Sequence, residues 1–234
     1  EIRTATAISA AQWRDLGRAY PRLGPDPGPD AARVRRRFRF LVGQALESKR
    51  HRPQFRDAPP EPEPCLYATA HVGDLRSLRY LLRRESSIAP VVVASDEECA
   101  DFAREARNFD LGAPKDFPHV LSSRQPHRLR SALRRGSLLV SADLPEREGT
   151  PFPCLGGQLR LDPRPFRLAR VCAVPCRPIF LTAPRGRLTI SIGPALPRGE
   201  EQALAEFARA LERICGESPF AIDAPTWWNR LAPR

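Results

Sequence analysis

The sequence has no methionine, only four histidines and only two lysines, Lys49 and Lys115, among its 234 residues. It also has no apolar run near the roughly 20 residues that a membrane-spanning helix needs. No secretory signal is visible. The chain begins at Glu1 rather than at a methionine, so these absences concern only the residues present. Within them, we expect no membrane-spanning segment.

Several motifs that would assign a chemistry are also missing. There is no G-x-S-x-G nucleophile turn and no G-x-x-x-x-G-K-[ST] phosphate loop, so the sequence supports neither serine hydrolysis nor nucleotide hydrolysis. The six cysteines include no C-x-x-C pair, and no histidine pair accompanies Cys172 and Cys176, so we expect no metal site. Several cysteines fall in apolar runs, which indicates buried thiols in a reducing compartment.

The positive charge is large and almost entirely arginine. The net charge is +11, and all but two of the 38 basic residues are arginine. Arginine favours bidentate contacts with carboxylates and phosphates, so an acidic protein, a phosphate-bearing cofactor, an anionic membrane or a nucleic acid are all candidate partners. The chain lacks the aromatic and basic signatures of common RNA-binding modules, and we therefore expect no nucleic-acid partner.

The pattern along the chain divides it into three parts. Residues 1–52 show helical periodicity, residues 53–64 form a proline-rich connector, and residues 65–234 alternate short apolar strands with helices. This alternation predicts an α/β domain with a mixed, largely parallel sheet flanked by helices. Strands are predicted at "CLYAT", "APVVVAS", "SLLVSAD", "RPIFLTA" and "RLTISIG", the last two as a hairpin. Helices are predicted at 74–84, 96–109 (opened by Ser95 or Asp96), 126–135, 165–173 and 199–214.

One histidine falls where a catalytic group is expected. His71 follows the predicted strand "CLYAT", and ligand crevices of open α/β sheets lie beyond the carboxyl ends of the strands. Gly73 permits a tight turn, and Asp74 lies at the predicted start of the next helix, close enough to orient the imidazole as a general base. The alternative is that Asp74 only caps the helix and His71 packs against the turn.

The stretch "ATAHVGDLRSLRYLL" resembles the histidine block of the lysophospholipid acyltransferase superfamily, and most closely its late lipid A acyltransferase branch. A second block, "LRSALRRGSLLVSADLPEREGTPFPCLGGQLRLDPRPFRLARVCAVPCRPIFL", is similar to the second block of that family. In this match Asp143 takes the place of the strand-end acid, Phe152 to Gly156 the place of an aromatic-glycine stretch, and residues 165–173 the place of a helix over the substrate. With "APTWWNRL", the resemblance covers roughly residues 65 to 231.

This resemblance implies a glycerolipid acyltransferase-like fold and an acyltransferase. The donor would be a thioester of acyl carrier protein or coenzyme A, the acceptor a hydroxyl or an amine, and no cofactor would be needed. The cysteine pattern, the basic charge and the lack of a membrane-spanning run predict a cytoplasmic protein, either free or in peripheral contact with the anionic inner face of a membrane. The resemblance implies His71 as the catalytic base, and Asp74 is the nearby acid that the spacing assigns as its catalytic partner. The predicted substrate-binding residues are Gly73, Arg76, Asp143, Arg147, Phe152 and Gly156.

The sequence departs from the family at the position of the second catalytic group. The family places a carboxylate five residues after its histidine, where this chain has Arg76. Two explanations remain open. Asp74 replaces the usual acid, or the pair has decayed and the protein binds a carrier protein or an acyl chain without turnover.

Overall fold

The computed structural model describes residues 53–56, 64–73, 75–85, 91–94, 96, 99, 120–143, 149–154, 157–182 and 187–217. The predicted N-terminal helical segment, residues 1–52, lies outside the described residues, as does most of the predicted helix after Ser95. The bounds of the elements are β1 (Gln54–Arg56), β2 (Leu66–Thr69), α1 (Leu75–Glu85), β3 (Val91–Ala94), β4 (Val120–Ser122), α2 (Pro126–Arg135), β5 (Leu138–Ser141), β6 (Thr150–Cys154), β7 (Gly157–Leu161), α3 (Arg164–Cys172), β8 (Cys176–Thr182), β9 (Thr189–Ile192) and α4 (Glu200–Glu217).

The main sheet has seven strands in the order β1-β9-β8-β2-β5-β3-β4. The five strands from β8 to β4 are parallel to one another, and β9 and β1 run in the opposite direction. The prediction of a mixed, largely parallel sheet flanked by helices is therefore confirmed. Strands β8 and β9 are antiparallel neighbours, so the predicted hairpin is confirmed.

Helices cover both faces of this sheet. The buried residues of α1, Leu78, Leu81 and Leu82, pack with alternate strand residues such as Tyr67 and Leu139 on one face. The next residues along the same strands form a second cluster with α2, α3 and α4 on the other face. Both faces are apolar because successive strand residues point to opposite sides, and this explains why the central strands read as continuous apolar runs.

Helix α4 closes the second face around one aromatic residue. Phe207 is fully buried and contacts Phe166 of α3 and Phe180 of β8, with ring centroids 5.7 Å and 5.8 Å apart. Edge-to-face and tilted arrangements of this kind are favourable for aromatic pairs. These contacts join α3 and α4 to β8 of the sheet.

The predicted proline-rich connector contains a strand that the composition did not indicate. Strand β1 pairs in parallel with β9, and Arg56 forms an ion pair with Glu217 at the end of α4. A three-residue strand at a sheet edge is compatible with a neighbouring proline, because an edge strand does not need every N–H group for pairing.

A two-stranded hairpin, β6 and β7, precedes α3. Leu161 at the end of β7 forms a bridge with Asp143, and the N–H group of Asp162 donates a hydrogen bond of 2.7 Å to the carbonyl oxygen of Ala142. The hairpin therefore returns the chain to the carboxyl end of β5. Among the helices that the structure describes, none is both long enough and apolar enough to cross a bilayer.

Candidate active site

The candidate site is built by two neighbouring parallel strands. Strands β2 and β5 pair with Thr69 opposite Ser141, and the N–H group of Ala142 donates to the carbonyl oxygen of Thr69 at 2.7 Å. His71 and Asp143 each follow their strand by two residues. The shared register and direction therefore place these two residues side by side at the carboxyl edge of the sheet.

Three hydrogen-bonding groups converge on the carboxylate of Asp143. The backbone N–H group of His71 donates to Oδ2 at 3.0 Å, and the hydroxyl of Ser141 donates to Oδ1 at 2.6 Å. The Nδ1 atom of His71 lies 3.0 Å from both carboxylate oxygens, and 3.3 Å from the Ser141 hydroxyl oxygen. The Asp143 carboxylate therefore holds His71 through both its backbone N–H group and its ring.

Burial differs sharply between the two partners. The side chain of Asp143 is fully buried, whereas that of His71 is 32% exposed. Burial by itself raises the pKa of Asp143, but the charge and hydrogen bonds of His71, with the hydrogen bond from Ser141, outweigh it and hold the pKa below its usual value. The carboxylate is therefore ionised at neutral pH.

An ionised carboxylate can only accept hydrogen bonds, and this fixes the tautomer of a neutral His71. The proton is on Nδ1, which donates to Asp143, and Nε2 carries the lone pair. In a serine-histidine-aspartate triad the nucleophilic serine faces the ring nitrogen opposite the carboxylate. Ser141 faces the same nitrogen as the carboxylate and donates to that carboxylate. The geometry is that of an oriented base and not of a serine nucleophile.

The turn after His71 requires its glycine. Gly73 has a φ of 74°, in the left-handed region that residues with a Cβ adopt at a cost. The turn begins with a hydrogen bond of 2.6 Å from the N–H group of Val72 to the carbonyl oxygen of Ala70, and α1 starts two residues after Gly73. Gly73 thus allows the chain to reverse sharply between β2 and α1 without moving His71 from the strand end.

In comparisons with known proteins, no family model matches this chain, and a search of curated proteins finds no match.

The other residues predicted from the resemblance are distributed as follows. Asp74, Arg147 and Gly156 lie outside the described residues, and Arg76 lies in α1 but its side chain is not among those described. Phe152 is half-buried on β6 and packs against the cluster under α2, α3 and α4. The structure therefore brings His71, Gly73 and Asp143 together, and the contact of Asp74 with the imidazole stays a prediction.

Sequence reasoning assigned Asp143 to substrate binding and did not anticipate its contact with His71. It gave no role to Ser141. A signal was available, because both residues belong to the predicted strand "SLLVSAD", and carboxyl ends of neighbouring parallel strands meet at one edge. In the part of the chain that the structure describes, no group of three or more histidine, cysteine or acidic side chains is arranged to hold a metal ion.

A cleft of about 260 Å³ lies between α2 and α3, over Val93 and Val140 of the sheet. Val140 and Ser141 are consecutive strand residues, so the floor of this cleft and the hydroxyl beside His71 lie on opposite faces of β5. The walls are largely apolar, with Leu129, Leu168 and Val171 among them. Both helices begin at the edge of the sheet where His71 lies.

Proposed function

We propose that this protein is an acyltransferase that moves an acyl group from a thioester donor to a hydroxyl or an amine, with His71 as the general base. The observation that supports it is the contact of His71 Nδ1 with the buried Asp143 carboxylate, 3.0 Å from each oxygen. Asp143, and not a carboxylate five residues after the histidine, is the positioning residue in this proposal. Its presence argues against a decayed pair.

The tautomer of His71 leaves Nε2 as the nitrogen that can accept a proton in the reaction. Nε2 takes the proton of the acceptor hydroxyl or amine while the acceptor atom attacks the thioester carbonyl carbon. The tetrahedral intermediate then collapses, the carbon–sulfur bond breaks, and the imidazolium returns its proton to the departing thiolate. Asp143 stabilises the imidazolium between the two steps, and Ser141 keeps the carboxylate in place by its hydrogen bond of 2.6 Å.

The family that this function implies is also a proposal. The histidine block and the block around Asp143 resemble the lysophospholipid acyltransferase superfamily, and a strand-end histidine on a largely parallel sheet is compatible with that resemblance. We propose a cytoplasmic location with peripheral attachment to the inner face of a membrane. The donor is a thioester of acyl carrier protein or of coenzyme A, and Arg76, Arg147, Phe152 and Gly156 remain the proposed substrate-binding residues.

The experiment that tests the proposal measures thiol release from acyl thioesters of both donors, with panels of hydroxyl and amine acceptors. His71→Ala should lower the rate about 100-fold or more, because general-base catalysis contributes at least that much. His71→Asn should be as inactive as His71→Ala. Its amide can still donate a hydrogen bond to the Asp143 carboxylate, so this variant should keep the fold. Gln202→Ala is the control variant, since Gln202 is exposed on α4, outside the site and outside α2 and α3.

Two outcomes would contradict the proposal. Turnover by folded His71→Asn at the wild-type rate would exclude His71 as the base. The alternative function is that of a protein that binds a carrier or an acyl chain without turnover. It would be favoured if neither donor released thiol with any acceptor although an acyl thioester was bound. Thermal unfolding of each variant shows that the fold is retained.

A further inference from the structure

Helices α2 and α3 form a surface whose exposed charge is entirely positive. Helix α2 contains four arginines and α3 three, and neither helix contains an acidic residue. All seven arginines are exposed: Arg128, Arg130, Arg134 and Arg135 on α2, and Arg164, Arg167 and Arg170 on α3. We call this pair of helices, with the cleft between them, the arginine surface.

Two of these arginines form ion pairs with acids outside the two helices. The Nε atom of Arg164 donates to both oxygens of the buried Asp162 carboxylate at 2.8 Å and 2.9 Å, and Nη2 of Arg167 donates to Glu200 at 2.7 Å. Both arginines line the cleft, together with Arg130 on the opposite wall. A guanidinium that is already ordered loses less side-chain entropy when a partner binds.

The arginine surface also exposes an apolar side chain. Val171 lines the cleft and is 57% exposed, more than any other large hydrophobic side chain among the described residues. Leu129 and Leu168 form the walls beside it. A protruding apolar side chain with acidic neighbours would complement an apolar cleft that has exposed arginines on both walls.

We propose that the arginine surface is the docking site of an acidic, helical acyl carrier protein, which places an apolar side chain in the cleft. The concavity favours a protein over a bilayer, because a flat lipid surface would not fill a recess between two helices. The inference rests on the proposed function, since it assigns the donor to a protein carrier rather than to free coenzyme A. Both helices begin at the carboxyl edge of the sheet, which is also the edge where His71 lies.

The test measures binding of apo acyl carrier protein, without its prosthetic group, by calorimetry at low and at physiological salt. Arg130→Glu/Arg134→Glu should weaken binding at least 10-fold, and Val171→Ser should weaken it several-fold. Arg198→Glu/Arg213→Glu is the matched control, because it makes the same change of charge at exposed positions outside α2 and α3 and should alter binding less than 2-fold. Weakening of wild-type binding by salt is expected for a charged rim.

The outcomes separate this inference from the proposed function. His71→Asn should bind the carrier as tightly as the wild type, and the arginine variants should raise KM for a carrier-bound donor but not for a coenzyme A donor. No binding of the carrier by the wild type, or equal binding by Arg130→Glu/Arg134→Glu, would overturn the docking site while leaving turnover untouched. Arg130→Glu/Arg134→Glu would also overturn the docking site if it kept carrier binding but lost binding to phosphatidylglycerol vesicles or single-stranded RNA. The surface would then serve a membrane or a nucleic acid.

Discussion

At the scale of single residues, the site depends on one carboxylate that is costly to bury. Asp143 is fully buried, and burial of an ionised group is unfavourable unless hydrogen bonds and an opposite charge compensate. The backbone N–H of His71, its ring and the Ser141 hydroxyl provide that compensation. The same contacts orient the imidazole, so stability and the proposed catalysis depend on the same atoms.

Asp143→Asn should therefore lower both activity and stability. An amide no longer stabilises the imidazolium, and we expect the rate to fall about 100-fold or more with KM for the donor little changed. The free energy of unfolding should fall by about 1–3 kcal/mol, because buried polar groups lose well-matched partners. Ser141→Ala, which leaves the imidazole and carboxylate in place, should have a smaller effect on both. Wild-type activity of folded Asp143→Asn would show that another group orients His71.

The stability of Asp143→Asn relative to the wild type should depend on pH. The pKa of Asp143 is lower in the folded protein than in the unfolded chain, where it is about 3.9. The stability that this shift contributes is fully present above the unfolded value and is lost as pH falls through the folded value. The difference in free energy of unfolding between wild type and Asp143→Asn should thus narrow as the pH falls below about 4. Urea unfolding at pH 7, 5 and 3 measures this stability difference, and a difference that stays constant over that range would contradict the prediction.

The two residues of the site differ in how well they could be predicted. His71 was identifiable, because a histidine after an apolar strand and before a glycine turn is a local pattern. Its partner is 72 positions away in the chain. Only the adjacency and register of β2 and β5 bring Asp143 beside it, and periodicity within a strand contains no information about which strand is its neighbour.

At the scale of secondary-structure elements, helix α3 ends in a strained cap. Ala173 has a φ of 56°, and its N–H group and that of Val174 donate to the carbonyl oxygens of Arg170 and Ala169, each at 3.1 Å. These bonds satisfy carbonyl groups at the end of the helix, and glycine is the residue that usually occupies such a position. The cap stops the helix that forms one wall of the arginine surface and turns the chain into β8.

Ala173→Gly should consequently stabilise the protein. The left-handed conformation costs a residue with a Cβ about 1–2 kcal/mol, and the greater freedom of glycine in the unfolded chain cancels part of the gain. We expect an increase of up to about 1 kcal/mol in the free energy of unfolding, measured by urea titration. Ala169→Gly, in the buried interior of the same helix, should instead destabilise it. A loss of stability in Ala173→Gly would show that the alanine methyl contributes packing that outweighs the strain.

At the scale of the whole molecule, the central strands were predictable and the edges were not. The five strands predicted from residues 65–193 are largely apolar segments that are buried on both faces, and all of them are present in the sheet. Strands β1 and β4 have three residues each and lie at the two edges, where burial is partial and the pattern is short. Such segments form through pairing with a neighbour, which local composition does not reveal.

The charge of the whole molecule leads to a last prediction. With a net charge of +11, the folded state holds many arginines closer together than the unfolded chain does, and this self-repulsion is screened by salt. Ion pairs such as Arg167 with Glu200 are weakened by the same salt, but exposed pairs of this kind contribute little. Stability measured by urea titration should therefore rise between about 10 and 300 mM sodium chloride, a range over which the Debye length falls severalfold. Arg130→Glu/Arg134→Glu, which lowers the net charge by four, should show a smaller rise, whereas a stability that falls with salt would mean that attractive pairs outweigh the repulsion.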